Sequence, residues 1–451
     1  MVTIYITNFN YAKYLEKAIL SVLNQSYQKF ELFIIDDGST DNSREIIEKY
    51  RAFNNIEIIY QQNKGLNVSN NIALRLANGD YIMRLDADDY LVNNAVELLV
   101  KELDHDESLG LIFPDYYQID SNEQVIERHK RHDFKEDVSL YDQAAHGACT
   151  MIRVSYLRDI GGYNENYTCQ DGYDLWVRFI QKYKVKNLNI PLFYYRQHGS
   201  NLTSNEQKIL STRAQINSDF INHHGINVDS VAIVPIRVHD FSSCLIKVGS
   251  ETLIDLKIGQ VLNSKSIKKL ILCCESEDIL KYVSSKFLVD PKFQFFLRSQ
   301  KASAFNEPLE TSLNEILSDV GEINSRSIIF LDIKFPFIKS IHIDDAINTL
   351  HLFGSDSLIS VRLFTNSIFK HDGSGMKPAF KSDGITKLER EQLYEHVGGL
   401  TVVNMNYYKK NKKIIAGKVG HTVLDFIASF KLDSKVKLKI ANTILMLEKN
   451  D

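Results

Sequence analysis

A chain of 451 residues has room for two or three domains, and a hydrophobic share of 44% is enough to fill their cores. With 24% charged residues and a formal net charge of −4, the balance gives no reason to expect nucleic acid as a partner. The five cysteines (Cys149, Cys169, Cys244, Cys273, Cys274) are odd in number and lack metal-ligand spacing, as expected of free thiols in a reducing, cytoplasmic compartment. No charged leader or apolar signal core opens the sequence. No apolar run reaches the ~20 residues needed to span a bilayer, which leaves peripheral membrane contact open.

The chain opens with an alternation of strands and helices. Val2–Thr7 reads as a strand, and Tyr11–Gln25 as a helix whose apolar face is Leu15, Ala18, Ile19, Val22 and Leu23. Phe30–Ile35 is a second strand, closed by Asp36-Asp37-Gly38-Ser39; Ser39 or Asp41 caps a helix to about Tyr50. Ile56–Tyr60 is a third strand, Gly65–Ala77 a helix, Asn78-Gly79 a turn and Tyr81–Leu85 a fourth strand. This β-α-β-α-β-α-β order implies a parallel sheet with right-handed crossovers.

The fourth strand stops at Asp86-Ala87-Asp88-Asp89. Open α/β sheets bind ligands beyond the carboxyl ends of their strands, so Asp36-Asp37 and Asp86–Asp89 fall on one edge. Clustered carboxylates there suit a hard divalent cation shared with substrate phosphates. The plainer alternative is an acidic turn, with Asp89 or Asn93 capping the next helix.

Further on, Asn93–Asp104 reads as a helix and Leu109–Phe113 as a strand. Residues 114–145 are polar and loop-rich. Their charge run Glu127–Asp137 is either a solvated face or a border of an acceptor site. His146–Val154 reads as a strand and Gly161-Gly162-Tyr163 as a turn. Asp171 starts a helix to about Tyr183, with Asp174 one turn on.

Five pieces in order carry a family likeness: ITNFNYAKYLEKAILSVLNQSYQKFELFIIDDGSTDNS, NKG, ANGDYIMRLDADDY, GGYNE and QDGYDLWVR. Over roughly residues 1–200 the chain resembles the family 2 glycosyltransferases, which have the GT-A nucleotide-sugar fold. The resemblance implies that Thr7 and Asp37 contact the nucleoside base. Asp86 and Asp88 match the acid-x-acid motif that holds the ribose and the metal–diphosphate, with Asp88 as direct ligand of Mg²⁺ or Mn²⁺. It also places His198 near the diphosphate, on the metal. Asp171 matches the family's basic aspartate, and inversion by single displacement calls for no nucleophile. The implied partners are a nucleotide-diphosphate sugar donor and a glycan or lipid-linked glycan acceptor, in cell-surface glycan assembly.

The chemistry is coherent with that assignment. A departing nucleoside diphosphate gains charge that a divalent cation neutralises, and the acceptor hydroxyl needs a positioned base. Plainer roles stand beside the implied ones. Asp37 serves equally as a turn residue, Thr7 as a strand end, Lys64 as a solvated loop lysine, Asp174 as a helix-dipole acid and Trp176 as core. One departure is visible: Ser69 and Asn70, in NKGLNVSNN, stand where the family commonly has an arginine. Either the donor phosphates are contacted differently or activity is lower.

After a helix and linker at 206–228, a second α/β pattern runs from 229 to 451. Its strands are expected at Val231–Pro235, Lys269–Cys274, Ser327–Ile333 and Ser357–Val361. Its helices are expected at Leu253–Leu262, Asp278–Phe287, Glu310–Ser318 and Ile343–Phe353. The fold class expected is α/β with two doubly wound Rossmann-like domains, the second not an exact repeat of the first. VAIVPIR, IKVGSETLID, SLISVR and GGLTVVNMNYY resemble the cytidylyltransferases that activate sialic-acid-type sugars, which implies a nucleotidyltransferase-like fold. That family's Gly-Gly-Ser-Lys loop follows an arginine and cradles triphosphate. Here Arg237 is followed by Val238-His239-Asp240-Phe241, without glycine, and Lys247 matches a less critical position. A fold kept with nucleotidyl transfer lost is expected, Arg237 and His239 being surface residues. Three functions follow in order: a metal-dependent inverting glycosyltransferase (1–205); a bifunctional protein that also activates a sugar with CTP; and a second domain that only binds or scaffolds.

Overall fold

The computed structural model describes residues 1–129, 147–197, 206–237, 240–304, 307–320, 323–364, 369–371, 373–378 and 393–447. The chain divides into two compact units, Met1–Asn205 with Asn366–Glu391, and Glu206–Thr365 with Gln392–Asp451.

The first unit runs β1 Val2–Asn8, α1 Ala12–Leu23, β2 Phe30–Asp36, α2 Ser43–Glu48, β3 Ile56–Tyr60, α3 Leu66–Leu76 and β4 Tyr81–Asp86. It continues with β5 Tyr90–Leu91, α4 Ala95–His105, β6 Leu109–Ile119, β7 Val125–His129, β8 Met151–Arg153, α5 Val154–Asp159, α6 Asp171–Ile180 and β9 Lys184–Arg196. The central strands are buried on both faces, as parallel strands covered by helices must be. Ile4, Leu32, Ile34 and Met83 enter a core with Leu15, Ile19 and Leu99. Their alternate neighbours Tyr5, Phe33, Ile35 and Ile82 enter the opposite core, around Leu74, Leu157 and Trp176.

The second unit runs α7 Glu206–His223, β10 Ser230–Pro235, α8 Phe241–Cys244, β11 Lys247–Val248, β12 Glu251–Thr252, α9 Leu253–Leu262, β13 Ile267–Cys274 and α10 Glu277–Phe287. There follow β14 Phe293–Leu297, α11 Gln300–Ser303, α12 Leu309–Val320, β15 Ser327–Leu331, α13 Ser340–Leu352 and β16 Ser357–Phe364. The hairpin β17 Phe369–His371 and β18 Met376–Pro378 lies in the stretch grouped with the first unit. The chain then adds β19 Leu393–Asn404, α14 Met405–Asn411, β20 Val419–Val423 and α15 Lys435–Leu447 to the second unit.

The two main sheets share one plan. The first is ordered β3-β2-β1-β4-β8-β6-β9, extended by β5, with β7 paired to β6; the second is β14-β13-β10-β15-β19-β16-β20. Setting β5 and β7 aside and counting within each unit, both read 3-2-1-4-6-5-7. Strand directions agree too. In each sheet the sixth strand, β8 or β19, is antiparallel to both neighbours, and every other pairing along the path is parallel. The second unit therefore does repeat the first in topology, although its sequence pattern does not. Both units are doubly wound α/β, as expected.

Three expectations need correction. The helix expected ahead of the linker in 206–228 is α7, and the whole stretch groups with the second unit instead of standing apart as a linker. Ala214, Asn217 and Ile221 recur at helical spacing and are buried, and Asn217 Nδ2 donates to Asp345 Oδ1 of α13 at 3.0 Å. The polar stretch after Phe113 is no loop at first: β6 continues to Ile119 and turns into β7. The strand expected over His146–Val154 is only Met151–Arg153, because helix α5 begins at Val154; residue 146 lies outside the described residues.

Candidate active site

Strands β1, β2 and β4 run side by side in register, Asn8 opposite Asp36 and Thr7 opposite Asp86. Asp36, Asp37, Asp86, Asp88 and Asp89 therefore leave the sheet along one edge.

The two acids after β2 both hold loops. Asp36 Oδ2 accepts from Asn8 Nδ2 at 2.8 Å, and its Oδ1 accepts from the Ser39 N–H at 2.8 Å. Gly38 sits at φ 82, and a Cβ there would lie 2.8 Å from the Asn63 nitrogen, so the turn requires glycine. Asp37 is 6% exposed. Its Oδ1 accepts from Gln61 Nε2 (2.7 Å) and the Lys64 N–H (2.8 Å), and its Oδ2 from the Gly65 N–H (2.9 Å). A carboxylate has about four acceptor positions, so Asp37 clamps the start of α3 and keeps one position. Thr7 Oγ1 donates to Asp86 Oδ1 at 3.5 Å, and Lys64 is exposed.

Arg84 is the residue that joins the rest. Strand alternation puts Arg84 and Asp86 on the face opposite Met83 and Leu85. The Arg84 side chain is 6% exposed; its Nε lies 2.9 Å from Asp86 Oδ1 and its Nη1 2.5 Å from Asp171 Oδ2. One buried guanidinium thus spans an acid at the end of β4 and the first residue of α6. The backbone at Gly147 closes over it, where a Cβ would fall 2.0 Å from Arg84 Nη2. Asn70 Nδ2 also donates to Asp171 Oδ2 at 3.4 Å, and Tyr5 Oη donates to Asn70 Oδ1 at 3.1 Å. Both bonds to Asp171 fall on Oδ2. Preceding it, Gln170 holds a left-handed φ of 60, a local cost of roughly 1–2 kcal/mol that sets the direction of the helix start. The Asp171 side chain keeps 16% exposure.

Burial and the Asp88 and Asp171 carboxylates push Asp86 up to about 6, against the pull of Arg84. Asp89 is raised well above the usual range by burial and by Asp88 and Asp86. Its Oδ1 accepts the Arg196 N–H at 2.9 Å, while Oδ2 has no partner among the described residues. Arg196, 1% exposed, holds the acidic loop from β9: its Nε donates to the Asp88 carbonyl at 3.0 Å, and its guanidinium lies 4.5 Å from the Tyr14 ring centre. Burial and the charges of Asp88, Asp86 and Asp89 raise the Tyr11 hydroxyl.

The donor set suits a shared cation. Among the described residues no three His, Cys, Asp or Glu side chains form a complete metal cage. Asp86 and Asp88 would supply two hard oxygen ligands at an edge crowded with carboxylates. That matches Mg²⁺ or Mn²⁺ completed by substrate phosphates and water. His198 lies outside the described residues.

The other singled-out residues have structural partners. Asp174 pairs with Arg178 at 2.5 Å, and Arg178 also donates to the Ile160 and Gly162 carbonyls. Trp176 is core, 1% exposed and edge-on to Phe113 at 5.6 Å. The sequence reading missed Arg84, Asn70 as a partner of Asp171, Arg196 and Tyr11. For Arg84 one signal existed: a lone arginine inside an apolar strand must find buried acceptors.

Comparison with known proteins finds likenesses over the first part of the chain. The family described as "Glycosyl transferase family 2" matches residues 3–161. The chain is 33% identical over 204 residues to a chondroitin synthase of Pasteurella multocida (strain Pm70), covering 45% of this chain and 21% of that one. It is 30% identical over 202 residues to a chondroitin synthase of Escherichia coli, covering 45% and 29%. The chain thus spans well under a third of these synthases' length. Among solved structures, S. aureus TarS 1-349 in complex with UDP-GlcNAc aligns at a TM-score of 0.42 with 20% identity, over 49% of this chain and 66% of that one. The match over residues 3–161 identifies a glycosyl transferase family 2 domain within the first unit.

Proposed function

We propose that the first unit transfers a sugar, with inversion, from a nucleotide-diphosphate donor to a hydroxyl of a glycan acceptor. The observation that carries this reading is the Arg84 bridge, which puts Asp86 and Asp171 on either side of one guanidinium. Asp86 and Asp88 would hold the divalent cation, which when bound stabilises charge on the departing diphosphate. Asp37, with its remaining acceptor position, and Thr7 serve the nucleoside end. Asp171 takes the acceptor proton on Oδ1, while Arg84 and Asn70 fix Oδ2 and so set the carboxylate's orientation. Arg84 also puts a buried positive charge near the donor site in a chain with Ser69 and Asn70 in the segment after NKG. The similarity to two chondroitin synthases supports a polysaccharide-type acceptor.

A thermal-shift screen of UDP-, dTDP-, GDP- and CMP-sugars, with and without Mn²⁺, tests the donor class. A ligand that binds only the folded chain raises its melting temperature. The reading expects a rise with a nucleoside-diphosphate sugar that grows with Mn²⁺. No rise with any of them, in a chain that melts cooperatively, counts against it.

A further inference from the structure

We propose that the outward face of α15 docks on an anionic lipid surface. This stands apart from the sugar-transfer reading, because α15 belongs to the second unit. The helix is apolar on two sides. Ala441, Leu438, Ile444 and Leu445 pack into the second unit's core. On the other side Val436, Ile440, Met446 and Leu447 are 69%, 45%, 67% and 61% exposed. A helix that only closed a core would carry polar residues there. Val436, Ile440 and Leu447 recur at helical spacing and form one strip, and Phe426, upstream, is 68% exposed.

Charge identifies the occupant. From Lys435 to Leu447 the helix has three lysines and no acid. Lys437 is paired with Asp433 at 2.9 Å. Lys435 and Lys439 are exposed beside the strip, and neither forms an ion pair among the described residues. Two copies meeting through this face would crowd these lysines together with no acid on the helix to neutralise them. Anionic headgroups supply the missing charge while the acyl boundary takes the apolar strip. Lysine stems reach from one to the other. A helix lying flat in the interface in this way binds weakly and reversibly, with strength set by buried apolar area and lipid charge.

Vesicle sedimentation of the full chain tests the idea. With phosphatidylcholine–phosphatidylglycerol vesicles the protein should pellet, and with phosphatidylcholine alone it should not. Val436→Asp with Ile440→Asp should cut the bound fraction roughly tenfold, and so should Lys435→Glu with Lys439→Glu. Circular dichroism checks that each variant is folded; the lysine pair, fully on the surface, keeps the test valid should the aspartates disturb the helix. Failure of the unaltered chain to pellet with anionic vesicles overturns the proposal, as does wild-type binding by the folded variants. A dimer seen by light scattering that Ile440→Asp dissolves, without vesicle binding, would assign the face to a second copy instead.

Discussion

The two units share seven strands in the same order and direction, yet their sheet edges differ in chemistry. At and just beyond the ends of β2 and β4 stand Asp36, Asp37, Asp86, Asp88 and Asp89. After β10, β13, β14 and β15 stand Arg237, Glu275, Arg298 and Asp332. Much of the second edge pairs internally, while Glu275 Oε2 and Arg298 Nε have no hydrogen-bond partner among the described residues. Arg298, 3% exposed, donates to the Ile236 carbonyl at 2.5 Å and to Ser312 at 2.9 Å. Arg237 donates to the Ala304 carbonyl at 2.6 Å, and Lys334 pairs with Asp240 at 2.6 Å. Asp332, which follows the strand equivalent to β4, accepts the Lys334 N–H at 2.9 Å. The two edges show that one shared fold can carry quite different residues at the ends of its strands.

The comparison breaks most sharply at Asp171. Asp171→Asn should lower turnover by ~10²–10⁴-fold while leaving donor affinity within a few-fold, as loss of a general base does. Turnover that survives would remove Asp171 from the base role. Next is Arg84→Gln. It leaves two partly buried carboxylates, 26% and 16% exposed, without their cation, so unfolding free energy should fall by ~1–3 kcal/mol. Turnover should fall by ~10–100-fold, as when a group orienting a site residue is lost. Chemical denaturation and steady-state rates report the two separately, and unchanged stability would mean the bridge is not formed.

In the second unit the same kind of change should do little to transfer. Lys334→Ala and Arg237→Ala should each leave sugar transfer within about two-fold. Pyrophosphate release from CTP by the full chain should be absent; detecting it would revive the bifunctional reading. The smallest effect concerns Lys257, 1% exposed, whose Nζ donates to the Phe335 carbonyl at 2.7 Å. Burial pushes it down to about 7, with Asp332 pulling the other way. An unfolded lysine titrates near ~10.4. Between these values the unfolded chain binds more protons, so stability climbs as pH rises above about 7, and the full penalty is present below it. Melting of the second unit should therefore rise between about pH 7 and 9, and Lys257→Met should remove that rise. A rise of equal size in the variant would show that other groups cause it.

Much of this was readable in the chain. β1 to β4 announce themselves as short, largely apolar runs, β2 and β4 ended by Asp, and once their order is known the acids must share an edge. β9 was not legible: KVKNLNIPLFYYR mixes charge, amide and proline, and it pairs with β6 through three register shifts. β19 was missed for a related reason, since Leu393–Asn404 carries two glycines, Glu395 and His396. The acid-x-acid motif was visible as chemistry, but the use of Asp37 as a loop clamp was not. It depends on N–H groups 27 and 28 residues away. Arg84 reads as an ordinary strand residue until α6 is folded against it.

The central claim is that Asp86 and Asp88 grip a cation shared with a diphosphate at the edge of the first sheet. Calorimetric titration of the donor sugar found by the screen, into the full chain and into Asp88→Asn, with Mn²⁺ and with chelator, tests it most directly. Binding should need Mn²⁺ and should weaken at least about tenfold in Asp88→Asn. Equal binding with chelator, or by a folded Asp88→Asn chain, would contradict it.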